Sequence, residues 1–219
     1  NPEGIARLDA TRKNGRRCSA AVAHLRPALA RGNVTLLTKS QVLKINITDN
    51  SVSGVTFKHR GETRSVKTNK EVILSGGAIN SPHLLMLSGI GPEKHLKEHG
   101  IDVNVDLPGV GQNLQDHSCV ILQYACKKSF PIHKVNQPHR KLATGIKWVF
   151  TKKGIGASNI WEAGGLIRSS SKVAYPDIQY HFGPVGFEYE DNKISLLQAF
   201  AIHVDQLRPR SRGEVTLKS

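Results

Sequence analysis

Three groups of residues in this chain have types and spacings that could do chemistry. The first is Ser75-Gly76-Gly77, which follows the apolar run Val72-Ile73-Leu74 and precedes Ala78 and Ser81-Pro82. Glycines at the carboxyl end of a strand let backbone amides approach a phosphate or ribose with no Cβ in the way, and a helix starting there adds the positive end of its dipole. A strand-to-helix turn with no ligand meets the same pattern equally well. The second is the ten histidines, each able to exchange a proton near neutral pH, although a lone histidine is more often structural or solvent-facing than catalytic. The third is the three cysteines. Cys18, Cys119 and Cys126 form no CxxC pair and have no zinc-ligand spacing, so no metal site is expected and a reducing compartment is the plain reading.

Elements must position these residues. The chain has 219 residues with 38% hydrophobic content, enough for one large or two modest domains. β-Branched alternation predicts strands at 34–37, 41–48, 52–58 and 63–68, with turns at Asp49-Asn50 and Arg60-Gly61. Val72–Leu74, short and wholly apolar, reads as a parallel strand buried on both faces. Helices are expected over 18–31, with Ser19 as cap, over 82–87, with Ser81 as cap and Pro82 at the first position, and over 92–98. A strand at 101–105 follows, and residues 1–17 read as an entry loop.

Beyond residue 117 the expected strands are 120–125, 163–167, 177–182, 198–204 and 213–217, with a helix near 141–150. The result is an α/β region, 1–116, followed by an α+β region, 117–219, built on an antiparallel sheet.

The balance of 31 Lys and Arg against 17 Asp and Glu gives +14, which would suit a nucleic-acid or acidic-partner binding module. The basic groups are short, scattered and without interleaved aromatics, so a solvated surface is the better reading and no nucleic-acid partner is expected. No run reaches the length of a membrane span, and the first residues lack the apolar core of an export signal. A cytoplasmic location is expected, with any membrane association arising through an electron acceptor.

The stretch GGAINSPHLLMLSGIGP resembles the second signature of the glucose-methanol-choline (GMC) oxidoreductases, FAD-dependent enzymes that oxidise alcohols. KNGRRCSAAVAHLRPAL, VDLPGVGQNLQDH, GASNIWEAGGLIRS, PDIQYHFGPVGF and RPRSRGEVTLKS resemble the choline dehydrogenase branch in the same order. The resemblance implies that residues 1–116 are the later part of a doubly wound FAD-binding domain and 117–219 the first part of a substrate domain. It implies FAD contacts at Val42, Gly76, Gly77 and Ala78, with Asn113 either a further contact or a turn cap. For the substrate pocket it implies Trp161, His181, which would hydrogen-bond the substrate alcohol, and Cys119, which stands where choline-oxidising relatives carry a glutamate.

No GxGxxG turn occurs, and the family's catalytic histidine belongs downstream of residue 219, so the chain reads as an internal piece and no catalytic residue is assigned. The expected substrate is a small alcohol, either choline itself or, because Cys119 has no charge, an uncharged primary alcohol. The electron acceptor is not legible.

Overall fold

The computed structural model describes residues 3–128, 131–161, 163–190 and 193–218. Two compact units are present, one formed by Asn1–Val34 with His117–Pro209 and the other by Thr35–Asp116 with Arg210–Ser219. The sequence reading expects a single passage at 116/117; the chain passes between the units at 34/35, 116/117 and 209/210.

In the unit of residues 35–116 and 210–219, strands Ser40–Thr48, Ser51–His59 and Glu62–Lys67 form an antiparallel meander. Its turns are where the sequence sets them: Asp49 and Asn50 both take positive φ, as do Arg60 and Gly61, the conformation that matches the twist of a two-residue hairpin. Val34–Leu37 forms no strand.

The buried parallel strand expected at Val72–Leu74 is not there. That segment pairs with no strand among the described residues, and Ile73 is 76% exposed. A parallel strand needs a neighbour to take its backbone hydrogen bonds, and the parallel pair this unit does form lies elsewhere, between Ile90–Gly91 and Val105–Asp106. Of the strand expected at 101–105, Val105 alone is realised, as the first residue of Val105–Asp106.

The following helix runs Gly77–Leu87 and encloses Pro82, instead of starting at Pro82 under a Ser81 cap. The first four amides of a helix are free in any case, so a proline at its sixth position deletes one bond, to the Ala78 carbonyl. A second helix, Glu93–Glu98, packs Leu96 against Met86, Val110 and Leu217, with Leu85, Ile90, Ile101, Val103 and Val215 around them. Residues 213–217, where a strand was expected, join this core by the packing of Val215 and Leu217, by the Val215 amide donating to the Gly111 carbonyl at 2.8 Å and by a bridge from Leu114 to Gly213. Ser88, fully buried, links helix to meander: its hydroxyl donates to the Leu84 carbonyl at 2.6 Å and accepts from the Ile45 amide at 2.9 Å.

The other unit is a five-stranded antiparallel sheet in the order Gly4–Arg7, Ala163–Ile167, Ile178–Gly183, Ala199–Gln206, Cys119–Ala125. Four of these strands lie where the alternation puts them. Gly4–Arg7, read as loop, is an edge strand, held by the Glu3 carboxylate, which accepts from the Arg168 amide at 3.1 Å and guanidinium at 2.9 Å. A hairpin pairs Arg12–Lys13 with Arg16–Arg17 around Asn14-Gly15, and the Trp148 indole donates to the Gly15 carbonyl at 2.8 Å. Helical structure covers Ala21–Leu25 as a π turn and Arg26–Ala30 as α, with no side-chain cap from Ser19. A longer helix spans Pro138–Thr151, and a hairpin missed by the sequence reading pairs Gly186–Glu190 with Lys193–Leu197. Among the described residues no helix is long and apolar enough to cross a membrane.

Two substitutions, with a third as control, test the core of the unit of residues 35–116 and 210–219. Ser88→Ala strands the buried Ile45 amide and should cost about 1–3 kcal/mol in urea unfolding. Gly111, at φ +82°, would carry a Cβ into the Val215 carbonyl oxygen, so Gly111→Ala should cost about 1–3 kcal/mol, whereas Gly109→Ala, which meets nothing within 4 Å, should change little. Equal effects at 109 and 111 would contradict this packing.

Candidate functional site

The residues expected to touch a cofactor lie around the helix Gly77–Leu87. Its period of 3.6 residues divides them between two faces. On one face, Gly76, Asn80, His83, Leu84 and Leu87 join Val42 and the extended Ile73–Ser75 segment around a cleft of about 560 Å³. On the opposite face, Ala78 and Pro82 meet Gly111–Gln115 and Val215 around a hollow of about 370 Å³, which Asn113 lines at φ +66°. Gly77 heads the helix at φ +78°, with nothing within 4 Å of where a Cβ would stand. Its conformation calls for glycine, and the space beside it is open.

Substrate-pocket candidates lie on the five-stranded sheet, and the register brings them together. His181 is directly opposite His203 on the neighbouring strand, and Cys119 is directly opposite Asp205 on the next pair. Alternation puts His203 and Asp205 on one face, together with His181 and Cys119. The His181 Nε2 is 3.6 Å from the Asp205 Oδ2, and the Cys119 Sγ is 3.7 Å from the His203 Nδ1. Trp161 covers this face, edge-on to His203 with centroids 4.5 Å apart and 6.4 Å from His181. It can do so because residue 183 is glycine: a Cβ there would stand 2.6 Å from the Trp161 ring.

Phe187 closes the other side, 5.7 Å from the His203 ring. Its hairpin is fixed by the Gln123 side chain, which accepts from the Phe187 amide at 2.7 Å and donates to its carbonyl at 2.9 Å, as a neighbouring strand would. Ile160, just before Trp161, takes φ +73°, a rare conformation for a β-branched residue and one that marks a constrained turn.

The electrostatics follow from this crowding. Desolvation first, then the nearby His181, lowers the His203 pKa, with the Asp205 charge opposing. Its Nε2 is buried with no hydrogen-bond partner. Desolvation, followed by hydrogen bonding and charge from Asp205, raises the Cys119 thiol. Both groups are therefore neutral near pH 7. A hollow of about 1030 Å³ in this unit lies elsewhere, lined by Arg12, Lys152, Ile155 and Phe182, and none of the expected site residues borders it.

Residues 1–119 match the model of the GMC oxidoreductase family. The chain belongs to the GMC oxidoreductase family. Across 217 residues it is 43% identical to an oxygen-dependent choline dehydrogenase of Staphylococcus saprophyticus and 44% identical to one of Brucella ovis, covering 99% of this chain and 39% of each relative. A variant of the formate oxidase of Aspergillus oryzae RIB40, studied for its FAD modification, superposes with a TM-score of 0.84 at 25% identity, over 99% of this chain and 42% of that one. This GMC chain thus spans about two fifths of the length of the curated relatives it matches.

Sequence reasoning missed His203, Asp205, Gln123 and Phe187. For the first two a signal was available: they sit two apart in AFAIHVDQ, on a strand expected from its alternation, so they must share a face. For Gln123 none was, since its role depends on a hairpin 64 residues away.

His203 generates a pH prediction. Its pKa is depressed from an ordinary 6.5 in the folded state, so below that value the unfolded chain binds the proton more readily and stability falls. The loss begins as pH drops through about 6.5 and levels off below the folded-state pKa. In the protein that carries this chain, His203→Phe should flatten the stability profile between pH 7 and pH 5 in urea titrations. An unchanged acid slope would assign the titration to another group.

Proposed function

We propose that this GMC chain contributes part of the FAD-binding region and part of the substrate pocket of an FAD-dependent oxidoreductase acting on CH–OH donors, of the choline dehydrogenase type. The observation that carries the reading is the convergence of Trp161, His181, His203 and Asp205 on one sheet face: an aromatic wall, two imidazoles and a carboxylate, the groups that an alcohol bearing a quaternary ammonium calls for. The choline dehydrogenase identity of its curated relatives supports the same reading.

The residues around the helix Gly77–Leu87 fit FAD. Val42, Ile73 and Leu74 give the cleft apolar walls for a flat ring, Ser75-Gly76 give it backbone amides, and the open side of Gly77 admits a close approach. When bound, FAD would supply the acceptor for the hydride leaving the carbinol carbon. This chain's residues do the positioning. Trp161 holds the organic end of the substrate and keeps water from it; His181 hydrogen-bonds the hydroxyl; Phe187 and His203 form the floor. No residue described here is assigned as the base. The regions 1–116 and 117–219 would serve as cofactor and substrate portions respectively. Action in the cytoplasm, with no nucleic-acid partner, completes the reading.

A second reading, oxidation of an uncharged primary alcohol, is favoured by Cys119, which contributes no charge.

Anaerobic addition of choline to the FAD-loaded protein that carries this chain should bleach the visible flavin absorbance and yield the aldehyde. His181→Ala should lower kcat/KM about tenfold, the weight of one hydrogen bond to substrate. Absence of bleaching with charged and uncharged alcohols alike would sink the proposal.

A further inference from the structure

We propose that Asp205 is the specificity-determining carboxylate of this chain, the anion that receives a quaternary ammonium head group beside Trp161. The inference rests on the alcohol-oxidising reading above and deepens it, giving the carboxylate on that sheet face one role, the choice between a charged and an uncharged alcohol.

The argument begins with register. Asp205 stands directly opposite Cys119 on an antiparallel pair, where side chains are about 4.5–5.5 Å apart at Cβ. A carboxylate on either strand therefore serves the same patch of sheet, and here the strand Ala199–Gln206 carries it. Burial is the next point: the Asp205 side chain is 16% exposed, so its charge is poorly screened. Among the described residues no permanently charged cation pairs with it. Cys119 and His203 are neutral near pH 7, and among the described residues the ion-pair partner of Asp205 is the His181 imidazole, at 3.6 Å; no lysine or arginine pairs with it.

Trp161 and Phe187 stand over the same His203, so an apolar cation settled against them lies next to the carboxylate. A quaternary ammonium has no proton to donate and asks only for such a charge and such faces. A neutral alcohol of the same shape would leave the carboxylate unsatisfied, so the arrangement discriminates by charge rather than by size.

The test uses the FAD-loaded protein that carries this chain, with two alcohols and one non-reacting probe. The alcohols are choline and its carbon isostere, in which a tert-butyl group replaces trimethylammonium; the probe is tetramethylammonium, titrated calorimetrically at constant ionic strength. Asp205→Asn should lower the ratio of kcat/KM for choline to that for the isostere by about 10- to 100-fold, the scale of one opposite charge within about 4–6 Å, and weaken tetramethylammonium binding to match. Asp205→Glu should restore both.

A ratio that stays constant while both activities fall would make Asp205 merely a support for His181 and overturn the inference, as would no effect at all. Should the asparagine variant fail to fold, Cys119→Lys brings an ammonium to the exposed position opposite Asp205 and must lower the same ratio; an unchanged ratio again overturns it. If neither alcohol is oxidised by the parent protein, the functional reading fails on its own, and tetramethylammonium binding, lost with Asp205→Asn or retained, decides the present inference separately.

Discussion

The candidate pocket depends on the register of a single strand, Ala199–Gln206. It pairs with Ile178–Gly183 on one side and Cys119–Ala125 on the other, and so sets His203 against His181 and Asp205 against Cys119. A slip of one residue would turn His203 and Asp205 to the opposite face and replace them with Ile202 and Val204. What holds the register is the neighbourhood of Ala199 and Ala201, both buried. Gly183 is opposite Ala201, and a Cβ on Gly186 would strike the Ala199 side chain, so small residues on three segments admit only this alignment. The polar residues of the site are aligned by apolar residues too small to be noticed in the sequence.

The same division explains what the sequence discloses. Strand alternation and turn chemistry are local, and they give the meander 40–67 and four strands of the larger sheet almost residue by residue. Trp161, His181 and Cys119, named by resemblance alone, are brought to one sheet face. Elements that depend on distant partners were not legible. Gly4–Arg7 has no alternation of its own and is a strand because Ala163–Ile167 offers it an edge. Val72–Leu74 has every local mark of a buried strand and is not one, because pairing is a property of two segments. Asn14-Gly15 is the counterexample: its hairpin signal is local and was there to be read.

The stretch from Ser75 to Pro92 shows glycine serving two different purposes. At Gly89 and Gly91 the absent Cβ is a packing requirement: one there would meet the carbonyl of Asp102 in the first case and the Met86 side chain in the second. These positions bring the end of the helix down onto its own core. Gly77 differs, since nothing lies where its Cβ would be. A positive φ turns the chain there into the helix, and the vacant side faces open space. Of the glycines in this stretch, Gly77 is therefore the one whose surroundings admit another molecule, while Gly89 and Gly91 hold the scaffold that fixes the helix start.

Charge supplies the last link. A chain at +14 repels a cation at long range, yet ionic screening reduces that repulsion beyond about 8 Å at physiological salt. Within the pocket the order reverses: the dispersed lysines and arginines are solvated, whereas Asp205 is largely buried beside groups that burial keeps neutral. Burial that depresses His203 and raises Cys119 thus does more than perturb two titrations. It widens the pH range, which includes pH 7 even at their ordinary values of 6.5 and 9.0, over which His203 adds little positive charge and Cys119 little negative charge. The carboxylate that remains acts at close range, where it outweighs the distant net charge of the chain.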